Sequence, residues 1–168
     1  MDLSQLSPSD ASVALRGLER RYRGLFAGLG EDESPDDVAH RSSHGWSAIE
    51  HIVAAAWAIG AADRALAAVA AADSPVLDAA DVDAGARPKP GAPTGTVHER
   101  LAELGFEANA AADRIDNTPA RDWDRTATVG GTSRTVTALD LARGAVDAGV
   151  SHLRAAETVL GAVRRTGP

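Results

Sequence analysis

At 168 residues, 44% of them hydrophobic, the chain is long enough for one domain that buries roughly 68–70% of its unfolded surface without disulfides or structural metal. A formal net charge of −7 is the wrong balance for gripping phosphates through Lys and Arg, which excludes nucleic acid as an expected partner. The chain has no cysteine, so disulfides, thiolate nucleophiles and cysteine-ligated zinc are excluded as well.

Aromatic residues are only 4% of the chain and much of the apolar content is alanine, the best helix former, which points to an all-α fold. The stretch Met1-Asp2-Leu3-Ser4-Gln5 lacks the basic start and apolar run of a signal peptide. The longest apolar run, Ile52 to Ala62, is short for a bilayer. A cytoplasmic protein with no membrane partner is the expectation.

Ser7-Pro8 announces helix A, with an N-cap residue followed by proline at the first helical position. Leu15, Leu18, Tyr22, Leu25, Phe26 and Leu29 recur every three or four residues and predict one helix over residues 8–29, stopped by Gly28 and Gly30. Arg20, Arg21 and Arg23 beside Glu19 read as a solvated helix face. Residues 30–46 are a polar connection in which Ser34-Pro35 predicts one short helical turn before His40.

Helix B, residues 47–72, opens on an S-x-x-E capping box, Ser47 to Glu50, in which the serine oxygen takes a backbone N–H and the glutamate reaches back. Ile49, Ile52, Val53, Trp57, Ile59 and Leu66 are its expected buried face. Residues 73–95 carry Pro75, Pro88, Pro90 and Pro93 with Gly85, Gly91 and Gly95, which predicts no regular structure beyond a turn around 76–81. An antiparallel neighbour needs only a short loop. A parallel one needs the chain to return along a ~30 Å helix, about ten extended residues, so helix B and the next are expected to run in the same direction.

Helix C, residues 96–117, starts at the capping box Thr96 to Glu99 and buries Val97, Leu101, Leu104, Ala108, Ala111 and Ile115. Residues 125–136 hold two short β-prone runs around Gly130-Gly131, a small hairpin whose two glycines both take positive φ in a tight turn. Helix D, residues 138–164, follows the box Thr137 to Asp140 and ends on Arg164-Arg165, which suit the negative end of its dipole. The chain is therefore one domain, 1–168. It is expected to be an all-α four-helix bundle with a long crossover between the second and third helices, up-down-down-up.

Chemistry is confined to five histidines. His40 and His44 are spaced by four residues but fall in the polar connection, where exposed side chains are the plainer reading of the pair. His51 begins helix B beside the capping Glu50, and His152 lies mid-helix next to the apolar stripe of helix D, where a core histidine bonded to a neighbour is the plainer reading. No H-E-x-x-H and no G-K-[ST] phosphate cradle is present.

Two segments nevertheless resemble a known family. Gly45-Trp46-Ser47-Ala48-Ile49-Glu50-His51-Ile52 resembles the W-S-x-x-E opening of the second helix in the DinB-like (YfiT-like) helical-bundle superfamily. Ala148-Gly149-Val150-Ser151-His152-Leu153 resembles that superfamily's H-x-x-x-H-L segment in the last helix. The resemblance implies a divalent metal held by three histidines, and relatives that are S-transferases using bacillithiol or mycothiol, or mycothiol-dependent maleylpyruvate isomerases. On this chain two of the three ligand positions fall on Ala54 and Ala148, and only His152 matches; His51 lies one turn before Ala54.

Alanine offers no donor, so the leading reading is a bundle without a competent metal site that binds a small molecule between helices B and D, near Glu50, His51, Ala54, Ala148 and His152. Two alternatives stand beside it. One is a metal-dependent (zinc or nickel) thiol S-transferase or isomerase using His152 with His51 and Glu50 or a water. The other is a structural or interaction homodimer.

Overall fold

The structure, a computed structural model, describes residues 3–27, 29, 34–40, 42, 45–83 and 93–166. Its helices are α1 (Pro8–Arg16), α2 (Leu18–Gly24), α3 (Pro35–His40), α4 (Ala48–Ala71), α5 (Ala79–Val82), α6 (Val97–Asn117) and α7 (Ala138–Thr166), with short 3-10 turns at Leu3–Gln5 and Ala120–Asp122. The fold is mainly helical, with a small three-stranded sheet formed by β1 (Val76–Leu77), β2 (Thr126–Val129) and β3 (Thr135–Thr137).

The first helix departs from its expected form. Gly17 interrupts it, although the Gly17 N–H still reaches the Val13 carbonyl at 3.2 Å, because glycine is about 1 kcal/mol worse than alanine in a helix. Beyond Gly24 the bonding tightens from i−4 to i−3, with Leu25, Phe26 and Ala27 N–H groups reaching the carbonyls of Tyr22, Arg23 and Gly24. The helix thus stops before Phe26 and Leu29; Gly28 and Gly30 lie outside the described residues.

Its 24 residues make α4 about 36 Å long, and it packs chiefly on α6 and α7. Ile49, Ile52 and Ile59 are fully buried, and the many alanines between them let neighbouring helices approach closely. One 18-residue window of α4 has a mean hydropathy of 1.6, so the whole helix, unlike the run from Ile52 to Ala62 alone, is long and apolar enough to cross a membrane. Yet 67% of that window is buried inside the bundle. Trp57, expected on the buried face, is 49% exposed instead, because it faces a cleft beside α5 and α6.

The start of α4 is fixed by Glu50, whose Oε2 accepts from the Ser47 amide at 2.6 Å and from the Ser47 hydroxyl at 2.8 Å. Ser47 is 4% exposed, so its hydroxyl has little water to fall back on. Ser47→Ala is expected to lower stability by about 1 kcal/mol, read as a fall in the urea midpoint; an unmoved midpoint would contradict this cap. The same logic starts α6, where the Thr96 amide and hydroxyl hold the Glu99 carboxyl below the usual carboxylate range. In the cap of α7, Thr137 and Asp140 each donate a backbone N–H to the other's side chain at 3.0 Å.

The sheet exceeds what local pattern implied. β2 and β3 form the expected antiparallel hairpin (Ala127 opposite Val136), but β1 adds to it in parallel, with Val76 opposite Thr128 and Leu77 opposite Val129. Of the two turn glycines, only Gly131 has positive φ, at 75°. Gly130 serves a different need: it donates to the Leu77 carbonyl at 2.8 Å, and a Cβ there would stand 3.0 Å from that oxygen.

Three contacts set how the helices meet. Arg16 on α1 pairs with Asp113 and Asp116 of α6, both at 2.7 Å, and Asp63 on α4 takes Arg114 of α6 through two bonds. At Gly149 of α7, a Cβ would lie 2.6 Å from Leu18 Cδ1 and 3.5 Å from Ile59 Cδ1, while the Tyr22 hydroxyl donates to the Gly149 carbonyl at 2.8 Å. Glycine is what allows α2, α4 and α7 to close on one point.

Candidate functional site

Trp46, one residue ahead of the Ser47 cap, His51 in the first turn of α4 and His152 in the middle of α7 converge. The indole stacks on the His152 ring, with centroids 6.0 Å apart and planes within 8°, and lies 5.3 Å from the His51 ring. The two imidazoles face each other through Nδ1 atoms 3.2 Å apart. That contact is a hydrogen bond when one Nδ1 carries a proton and the other does not; two imidazolium rings would present donor to donor.

Burial pushes the His51 imidazole down from its ordinary value, with the neighbouring Glu50 acting in the opposite sense. The folded protein therefore resists protonation at His51 more than the unfolded chain, whose value is about 6.5. Between the two values the unfolded state binds more protons, so stability rises with pH. This contribution is complete above about pH 6.5 and is lost as pH falls from there through the folded value. Urea denaturation at stepped pH is expected to show the decline, and His51→Gln to remove that part of it. A slope unchanged in the variant would rule out His51 as its source.

The other residues singled out from sequence divide. Ala148 and His152 line a cavity of about 330 Å³ that also meets Arg134, Asp140, Asp147 and Ser151. Gly144 leaves open space on the same side of α7, and the Ser151 hydroxyl donates to Asp147 at 3.4 Å. Ala54 is 8% exposed and is absent from the lining of that cavity. The Glu50 carboxylate is committed to the cap of α4. His40 places Nε2 3.3 Å from the Gly95 carbonyl, while His44 lies outside the described residues.

The metal implied by the family resemblance can be tested against these side chains. Two nitrogens 3.2 Å apart suit two corners of a tetrahedron with ligand distances of about 2.0–2.1 Å. A catalytic site needs about three protein ligands plus an open position. The equivalent ligand positions hold Ala54 and Ala148, and among the described residues no three His, Cys, Asp or Glu side chains form a ligand group. The residues described do not fit a resident three-ligand metal.

Sequence reasoning did not find the stacking of Trp46 or the polar wall of the cavity. Asp140, Gly144, Asp147 and Ser151 recur at intervals of three and four, a helical stripe beside the apolar one, and that periodicity was the available signal.

No family model and no curated protein matches the chain. Among solved structures, the chain is similar to YfiT from Bacillus subtilis, described as a probable metal-dependent hydrolase with an unusual four-helix bundle topology. The likeness covers 97% of this chain and 89% of that one with a TM-score of 0.73, at 15% sequence identity. At that identity it shows the fold alone: a mainly helical bundle similar to that of YfiT.

Proposed function

We propose that this protein is a YfiT-like bundle without a three-histidine metal site, and that it binds a small polar molecule in the cavity between α4 and α7. The observation that carries the reading is the coincidence of two things at one place. Ala148, where the resemblance calls for a ligating histidine, lines the 330 Å³ cavity together with His152, so a missing imidazole becomes space. Asp147 and the Ser151 hydroxyl border that space, with Asp140 and Asp81 beside them giving one oxygen each to the Thr137 amide and to Arg64, respectively; the remaining carboxylate oxygens favour a ligand rich in hydrogen-bond donors.

The finer topology belongs to the same proposal. Gly60 meets Glu107 and Asp63 meets Arg114, pairs that advance together along α4 and α6. Arg16 meets Asp113 while Glu19 meets Gly105, a pair of contacts that run oppositely along α1–α2 and α6. These support up-down-down-up with the long crossover between the second and third bundle helices.

A second reading has its own support. The 3.2 Å approach of two imidazole nitrogens and the description of YfiT as a probable metal-dependent hydrolase favour a metal-dependent enzyme, such as a thiol S-transferase or isomerase. One experiment separates the two. Protein purified without chelator is analysed for metal by mass spectrometry, and the His152 ring proton is followed by NMR against small polyols, amines and amino acids. The proposal expects metal well below stoichiometric and ligand-dependent shifts that vanish in His152→Ala. Near-stoichiometric metal that His152→Ala removes would establish the second reading in its place.

A further inference from the structure

A larger cleft, of about 610 Å³, opens on the opposite side of α4. At 3.6 residues per turn, Gly60 and Ala62 point about 200° apart; Gly60 lines this cleft and Ala62 the smaller cavity beside His152. The two spaces thus lie on opposite faces of α4, and Asp81 of α5 borders both. The proposal below is independent of the one made for the His152 cavity.

The floor of the cleft is apolar, made by Val53, Ala56 and Ala61, and its wall carries the half-exposed indole of Trp57. Five charged side chains border it, and they do not balance. Arg64 pairs with Asp81 at 3.0 Å, and Arg100 reaches both oxygens of Glu103 at 2.8 and 2.7 Å. Glu107 is the third carboxylate, and among the described residues it has no hydrogen-bond or ion-pair partner. Its Oε2 lies 2.5 Å from where a Cβ on Gly60 would stand. The glycine therefore lets a part-buried carboxylate lie flat on α4, one turn from the Trp57 ring.

We propose that this cleft binds an organic ammonium ion with an apolar or aryl body, the cation seated between the Trp57 indole and the Glu107 carboxylate and the body on the alanine floor. An indole face attracts a cation through its quadrupole, and a carboxylate without a partner supplies the opposite charge. Both arginines of the cleft are already ion-paired, leaving, among the described residues, only the buried Nε of Arg100 without a hydrogen-bond partner, and three carboxylates against two guanidinium groups make the lining net negative, which disfavours an anion. An uncharged ligand would leave Glu107 uncompensated.

The test is calorimetric titration at low ionic strength with 2-phenylethylammonium, against the neutral 2-phenylethanol and the anionic phenylacetate. The ammonium ion is expected to bind and the other two not. Glu107→Gln and Trp57→Ala should each weaken binding by about tenfold or more. Glu157→Gln, which removes one carboxylate from an exposed position of α7, should leave it unchanged. Gly60→Ala gives a variant that is safe for folding: alanine favours the helix by about 1 kcal/mol, while its methyl displaces the Glu107 carboxylate, so binding should fall although the fold is kept. Equal binding of the alcohol or phenylacetate, no binding of the ammonium ion, or binding that survives Glu107→Gln and Gly60→Ala overturns the proposal.

Discussion

Tyr22→Ala is expected to cost about 3–5 kcal/mol, a large share of the roughly 5–15 kcal/mol that holds a domain folded. Tyr22 is fully buried and closes the point where α2 meets α7, with its hydroxyl on the Gly149 carbonyl at 2.8 Å. Burial pushes its phenol well above the ordinary range, which favours the protonated form that donates this bond. Tyr22→Phe keeps the ring and removes only that bond, and should cost about 1 kcal/mol. The contrast is the measurement: urea unfolding of the two variants should differ by about 2 kcal/mol or more. Equal losses would mean that the ring contributes little and that the helices meet elsewhere.

The second large effect is a gain. Restoring imidazoles in the double variant Ala54→His with Ala148→His is expected to raise zinc affinity by more than about 100-fold, since loss of even a hydrogen-bond partner to a ligand costs 10–100-fold. With His152 the variant would present the three protein ligands that catalytic zinc sites use. Ala148 borders a cavity and has room. Ala54 is nearly buried, and overpacking there should cost about 1–3 kcal/mol, so the single variant Ala148→His serves as the better-folded intermediate. Competition against a zinc-binding dye reads both. Affinity equal to that of the parent chain would show that these positions do not converge on His152, and with it remove the physical basis for the family carry-over.

What was legible in the sequence was whatever is decided within a few residues. The boxes at Ser47 and Glu50, Thr96 and Glu99, and Thr137 and Asp140 mark the starts of α4, α6 and α7, because an N-cap is a local bargain between a hydroxyl and a nearby amide. The short helix at Pro35–His40 was visible from Ser34-Pro35 for the same reason. The hairpin was visible too, but not β1, whose partner lies far along the chain and whose two residues carry no periodicity. The apolar spacing that puts Trp57 with Ile49 and Ile52 cannot report that α5 and α6 leave a gap beside it. At the candidate site, the proximity of His51 and His152 followed from helical phase and the resemblance. The polar wall of α7 and the committed carboxylate of Glu50 depend on how whole helices are placed.

Because α1 and α2 pack on α6 and α7 far more than on α4, the order of synthesis and the order of assembly oppose each other. The N-terminal segment leaves the ribosome first, yet the carboxylates that receive Arg16 and the backbone oxygen that receives Tyr22 belong to residues 113, 116 and 149. At about 5–20 residues per second, several seconds of translation pass with Leu15, Leu18 and Tyr22 lacking the surfaces that bury them. A nascent chain halted before α6 would therefore display that apolar face to solvent.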